Sequence, residues 1–319
     1  MSAIEGSRVF ITGGSGLIGS HTVEHLLSKN ANEIIVYDKY INNENLLEVK
    51  DRKEVKIVQG DLRDMPRLRK AMEGSDYVIH LAGLLLLPSM RNQRDALMVN
   101  IVDTYALLDL SIDLGVKKCV YASSVSVYGT PDTDQPVTEE APFLNRTVYG
   151  ACKIAVEQLC RALKEMRGLN YIALRYCSVY GPRQHQDGLY PRLIMKVLSD
   201  IKNHQIPQIE GTGDEVQDFV YVEDVAKANA LALEVDVSDK AYNIVSGTPT
   251  TVRELLAMVC KLEGCDFNVE FVPNQKKEIV AYRRFNGEKA RRELGFIPEV
   301  DLEEGLKRLL SWSKTAKRL

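Results

Sequence analysis

Over roughly the first half of the chain, short runs of apolar and β-branched residues alternate with longer stretches whose apolar positions recur every three to four residues. The short runs predict strands at Arg8 to Thr12, Glu33 to Asp38, Val55 to Gly60, Tyr77 to Ala82, Lys118 to Ser124 and Tyr171 to Tyr176. The longer stretches predict helices at Gly16 to Ser28, Met65 to Glu73, Gln93 to Leu114 and Tyr149 to Arg167. In the last of these, Ala151, Ile154, Ala155, Leu159, Ala162, Leu163 and Met166 share one face. A run such as Ile34-Ile35-Val36 is apolar on both sides of the strand, as a buried parallel strand must be. Alternation of this kind predicts an α/β fold, a doubly wound parallel sheet with helices on both faces.

Beyond Tyr176 the pattern loosens, punctuated by Gly181-Pro182, Pro191, Pro207 and Gly211-Thr212-Gly213. A smaller C-terminal lobe is expected to begin there. Thr251 with Glu254 three residues on reads as a capping box opening a helix over Val252 to Leu262, and Leu302 to Trp312 reads as an amphipathic terminal helix. The expected division is 1–177 for the sheet domain, with a returning segment at about 218–247, and 178–217 plus 248–319 for a substrate-binding lobe.

Composition narrows the function classes. The 319 residues are 45% hydrophobic and 27% charged, with a net charge of -3, so no basic surface invites nucleic acid. Six scattered cysteines lack the density of a disulfide-stapled secreted domain, and Cys260 with Cys265 has no second pair to complete a zinc site. Thiols, no metal and a cytoplasmic location are expected. The most apolar stretch, Tyr77 to Met90, is shorter than a bilayer span and contains His80, and no leader pattern precedes the first strand, so no membrane association is expected.

Between the first strand and first helix lies Thr12-Gly13-Gly14-Ser15-Gly16-Leu17-Ile18-Gly19. Glycines at 13, 16 and 19 permit a tight turn, backbone approach to a pyrophosphate and close helix–strand packing, while the helix N-terminus offers free N–H groups to the anion. This strand–turn–helix context makes the sheet domain Rossmann-type. Asp38, closing the second strand, is placed to accept hydrogen bonds from an adenosine ribose and to repel a 2′-phosphate, which favours NAD over NADP; Lys39 beside it works the other way.

Tyr149 and Lys153 are four residues apart, hence on one face of one helix. The ammonium lowers the cost of a phenolate, and the tyrosine can then exchange a proton while a hydride moves. Ser124 ends the fifth strand, where open α/β sheets bind ligands, and can hydrogen-bond the reacting oxygen.

The GxxGxxG spacing together with Ser124, Tyr149 and Lys153 resembles the extended short-chain dehydrogenase/reductase family, in its sugar-nucleotide epimerase and dehydratase branch, over nearly the whole chain. The resemblance implies that Asp61 and Leu62 hold the adenine, that Leu81, Ala82 and Gly83 line the nicotinamide half with Tyr176 passing beside it, and that Asn100 supports the cofactor site. It implies a nucleotide sugar as substrate and a homodimer formed by the helices Gln93 to Leu114 and Tyr149 to Arg167. Asp103 stands where the family usually has glycine. Dehydratases of the family carry a carboxylate at the strand end, where this chain has Ala122-Ser123-Ser124-Val125-Ser126. A 4-epimerase acting by transient oxidation and hydride return is therefore expected; a net NAD-dependent oxidoreductase and a noncatalytic NAD-binding protein are the alternatives. UDP-sugar epimerases that the chain resembles usually have asparagine at the position of Ser178 and arginine at that of Gln217, both at the substrate diphosphate. Arg183, Arg283 or Arg284 is expected to supply the missing cation.

Overall fold

The computed structural model describes residues 2–130, 135–184, 189–273 and 284–315. Strands β1 (Arg8–Thr12), β2 (Glu33–Asp38), β3 (Val55–Gln59), β4 (Tyr77–His80), β5 (Lys118–Ser124) and β6 (Tyr171–Tyr176) fall on the expected segments. Helices α1 (Leu17–Ser28) and α2 (Met65–Met72) do so too. The stretch expected as one helix from Gln93 to Leu114 is instead composite, preceded by α3 (Leu86–Arg91). It comprises α4 (Gln93–Leu97), a π-helical turn (Met98–Asp103) and α5 (Thr104–Asp113). The helix carrying Tyr149 and Lys153, α6 (Val148–Arg167), starts at Thr147, whose Oγ1 accepts from Gly150 N at 3.0 Å, and ends on the left-handed Gly168.

The looser half holds β7 (Ser178–Tyr180), α7 (Leu189–Lys202), β8 (Gln208–Glu210), β9 (Val216–Tyr221), α8 (Val222–Glu234), β10 (Lys240–Ile244), β11 (Pro249–Thr251), α9 (Val252–Glu263), β12 (Glu270–Val272), α10 (Glu288–Leu294) and α11 (Leu302–Thr315). Thr251 and Glu254 form the expected capping box on α9. The large sheet runs β3-β2-β1-β4-β5-β6-β10 with every pair parallel. Its last strand comes from far along the chain: Lys240 to Ile244 pair with Ile172 to Tyr176.

Because alternate side chains of a strand face opposite sides, Val9 and Ile11 join an apolar core with α1 and α8, while Phe10 joins the core on the other face with α2, α5 and α6. A separate core gathers Tyr180, Phe219, Tyr221, Leu255, Leu306 and Leu309 around the small sheet β11-β9-β7. Strand order reverses between β1 and β4, and the carboxyl ends of β1, β4 and β5 open into a cleft of about 1100 Å³. That switch point is where open α/β sheets bind ligands.

Candidate active site

One end of the cleft is built on the glycine turn. Gly13 adopts a φ of +67°, and a Cβ there would sit 2.9 Å from Ala82 N; one on Gly19 would sit 2.3 Å from Gly13 O. Side chains at these positions would pry β1, α1 and the segment after β4 apart. Where α2, α6 and α9 are capped by Asp64, Thr147 and Thr251, α1 begins at Gly16 with no side-chain cap, and Gly16, Leu17, Ile18 and Gly19 line the cleft. The uncapped amides leave free N–H groups at the cleft, the kind of helix end that suits an anion.

Asp38 lines the cleft with its carboxylate fixed: Oδ2 accepts from Ser15 Oγ at 2.8 Å and Ser15 N at 3.2 Å, and Oδ1 from Tyr40 N at 3.3 Å. Lys39 turns to Asp61, Nζ to Oδ2 3.0 Å, so its charge is engaged away from Asp38. Asp61, Leu62, Leu81, Ala82, Gly83 and Tyr176 line the cleft as well. Asn100 lies behind it: Oδ1 accepts from Leu84 N at 2.7 Å and Nδ2 donates to Leu84 O at 2.9 Å, so the π-helical turn grips the wall after β4. His80 is wedged between Thr12 Oγ1 (2.6 Å) and Thr104 Oγ1 (2.9 Å), and its burial holds it neutral, with a pKa of about 3.

At the other end the structure brings Ser124, Tyr149 and Lys153 together. The Tyr149 hydroxyl is hydrogen-bonded to Ser124, whose Oγ also accepts from Ser126 Oγ at 2.9 Å. Lys153 donates to Ala122 O at 2.6 Å and lies 5.6 Å from the centre of the Tyr149 ring. Burial pushes the tyrosine up to about 12 against the Ser124 bond, and pulls the lysine down to about 8 against the nearby Cys152 and Glu157. The lysine is thus beside the ring, and burial outweighs the easing of the phenolate that the four-residue spacing suggests.

Besides its apolar face, α6 is tied to the sheet by a buried pair one turn beyond Lys153. Arg175 on β6 donates to Glu157 through Nη2 (2.6 Å) and Nε (3.0 Å), and its Nη1 reaches Tyr128 Oη and Glu139 O. Ser123, beside Ser124, donates to the same glutamate.

Beyond the Ser124 and Tyr149 cluster, Ser178 and Gln217 face each other across β7 and β9, Oγ to Oε1 3.4 Å, and both line the cleft. Arg183 does not line it: held at a φ of +70°, it pairs with Glu24 of α1. Arg284 is exposed and away from the cleft lining, and Arg283 lies outside the described residues. Sequence reasoning passed over Arg146 and Arg63, two arginines that do line the cleft. A signal for Arg146 was its place directly before the cap of α6; Arg63 follows Asp61-Leu62. Among the described residues, no group of three or more His, Cys, Asp or Glu could hold a metal ion, all six cysteines are free, and no helix is long and apolar enough to cross a membrane.

A parallel sheet with a glycine cradle at its switch point and a Ser, Tyr and Lys cluster facing it defines a dinucleotide-dependent enzyme class. Residues 9–245 match the model of the NAD dependent epimerase/dehydratase family, to which the chain belongs, and its cofactor is NAD. The chain is 34% identical over 316 residues to a Methanocaldococcus jannaschii protein provisionally named UDP-glucose 4-epimerase, covering 97% of this chain and 99% of the relative. It is similar in structure to UDP-N-acetylglucosamine 4-epimerase from Methanobrevibacter ruminantium M1, with a TM-score of 0.88, 30% identity and coverage of 98% and 99%. It is equally similar to a dTDP-glucose 4,6-dehydratase from Streptomyces venezuelae solved with NAD bound, with a TM-score of 0.89, 30% identity and 98% coverage of both chains. Family and cofactor follow from these likenesses; the reaction does not, because epimerases and dehydratases stand equally near.

Proposed function

We propose that the chain is a nucleotide-sugar epimerase of the 4-epimerase type. One observation carries this reading over a dehydratase. Among the described residues the carboxylates lining the cleft are Asp38, Asp61 and Asp95, all in the half built on β2 and the Asp61–Arg63 turn, and none stands with Ser124 and Tyr149. Glu157, on the catalytic helix, is buried against Arg175. Loss of water from a sugar needs an acid to protonate the departing hydroxyl, and among the described residues this end of the cleft offers no carboxyl for that task.

Gly13, Gly16, Leu17, Ile18 and Gly19 would hold the NAD pyrophosphate, Asp38 the ribose hydroxyls, Asp61 and Leu62 the adenine, and Leu81, Ala82, Gly83 and Tyr176 the nicotinamide half. Asn100 supports that wall from behind. Bound NAD supplies a hydride acceptor that can return the hydride. Tyr149 takes the proton from the sugar hydroxyl and later gives it back, Ser124 holds the reacting oxygen by a hydrogen bond, and Lys153 supplies positive charge beside the ring. Ser178 and Gln217 meet the substrate diphosphate through uncharged groups. With Arg183 committed to Glu24 and Arg284 away from the cleft lining, Arg146, which lines the cleft beside Thr147 and Tyr149, is the described arginine placed to supply the cationic clamp. The chain acts as a homodimer, a reading supported by Leu97, Met98, Val102 and Tyr105, apolar side chains exposed along the α4–α5 rod. Free thiols, four of them buried, suit a cytoplasmic location.

The test is incubation of the pure protein with UDP- and dTDP-hexoses, without added NAD, followed by NMR. C4 epimers should interconvert. Appearance of a 4-keto-6-deoxy sugar, or release of NADH in step with a keto product, would overturn the reading.

A further inference from the structure

Asp103 closes the π-helical turn and is nearly buried, its side chain 10% exposed. A buried carboxylate is costly unless it is paired. Its partner is Arg63, Nε to Oδ2 3.3 Å. Arg63 Nη2 reaches Asp95 Oδ1 at 3.1 Å, Arg63 N donates to Asp61 Oδ1 at 3.0 Å, and Asp61 in turn holds Lys39. Lys39, Asp61, Arg63 and Asp95 all line the cleft; Asp103 does not, and reaches it only through the guanidinium. The π turn is anchored on both sides, by Asn100 gripping Leu84 and by Thr104 Oγ1 bonding Val99 O and His80, so Asp103 is presented from a rigid base. An arginine side chain free in solvent samples many rotamers, whereas one pinned by a carboxylate offers a fixed planar cation to a purine face.

We propose that Asp103 is a positioning residue for cofactor binding: through its ion pair it fixes Arg63 at the adenine end of the cleft, and this grip sets how tightly adenine nucleotides are held. The proposal rests on the reading that Asp61 and Leu62 mark the adenine end. The pair couples one nearly buried partner to one that is 43% exposed, so the effect belongs at the upper end of the surface range.

Calorimetric binding of ADP-ribose to the full chain tests it, with Asp103→Asn, Asp103→Glu, Arg63→Gln and the double variant Arg63→Gln/Asp103→Asn. Asp103→Asn should weaken ADP-ribose by about threefold to fivefold, the magnitude expected of such a pair. Asp103→Glu should recover part of the loss, and the double variant should be no weaker than Arg63→Gln alone, because Asp103 acts through Arg63. A general loosening of the helix would instead add to the Arg63→Gln loss and overturn the proposal, as would unchanged affinity in Asp103→Asn or in Arg63→Gln. Asp61→Ala separates the two readings. If it weakens ADP-ribose while Asp103→Asn does not, the positioning role fails and the adenine reading survives; if it has no effect, the adenine reading fails.

Discussion

Glu157→Ala should destabilise the protein strongly, although Glu157 is not itself in the cleft lining. Glu157 and Arg175 have side chains 7% and 5% exposed and share two hydrogen bonds, at 2.6 and 3.0 Å. Removing the carboxylate leaves a guanidinium without a counter-charge between β5, β6 and α6, and deprives Ser123 of its acceptor. Breaking a buried pair from one side costs about 3–5 kcal/mol. For a chain of this size, at roughly 2 °C per kcal/mol, Tm should fall by about 6–10 °C. Replacing both partners with apolar residues, Glu157→Leu with Arg175→Met, removes the stranded charge. Tyr128 keeps its bond to Asn243 (2.7 Å), but Glu139 O loses its donor, so about half of the loss should be recovered. Each single costs about 3–5 kcal/mol and the double about half of one, so urea unfolding of Glu157→Leu, Arg175→Met and the double should give a coupling energy of about 5–7 kcal/mol. A cost below about 1 kcal/mol for Glu157→Ala, or a double variant weaker than the sum of the singles, would refute the view that this pair pins the catalytic helix to the sheet.

Three further outcomes are expected. Tyr149→Phe should lower turnover by on the order of 10²- to 10⁴-fold while NAD stays bound, since only the proton-transfer group is lost; retained activity with NAD bound would remove Tyr149 from the mechanism. An unfolded lysine titrates at 10.5, whereas burial holds Lys153 at about 8. Between those values the unfolded chain binds more protons, so stability should rise with pH across the window, and Lys153→Met should flatten that rise in urea midpoints measured on either side of it. With Gln217 and Ser178 in place of charged and amide contacts, the protein should be a poor UDP-galactose epimerase, with kcat/KM below about 10⁴ M⁻¹s⁻¹; faster epimerisation in a coupled assay would show that neutral contacts suffice.

The parts legible in the amino-acid order are those set by neighbours along the chain. Strands β1, β2, β4, β5 and β6 are largely buried on both faces, the capping box on α9 needs only Thr251 and Glu254, and the four-residue spacing of Tyr149 and Lys153 puts them on one helical face. The glycine turn is also local, although its reason is not: Gly13 and Gly19 are demanded by Ala82 N and by the backbone of Gly13 and Gly14 pressing against them. The break of the Gln93–Leu114 helix into a π turn escaped a reading based on regular helical spacing, which has no place for the extra residue that a π turn inserts.

What the tertiary structure alone decided are the pairings between distant positions. Lys240 to Ile244 lie in the segment expected to return to the sheet domain, but their place as the edge strand beside β6 and their register with Ile172 to Tyr176 are settled by the crossover between them. Arg183 looked available for a diphosphate and is spent on Glu24, while Arg63, unremarkable in the sequence, is drawn to the cleft by Asp103, forty positions away. A charged side chain carries no periodic signal of its partner. The sequence by itself determined which residues can do chemistry, through spacing on strands and helices, whereas the destination of each long charged side chain was chosen by the packing that brings opposite charges within reach.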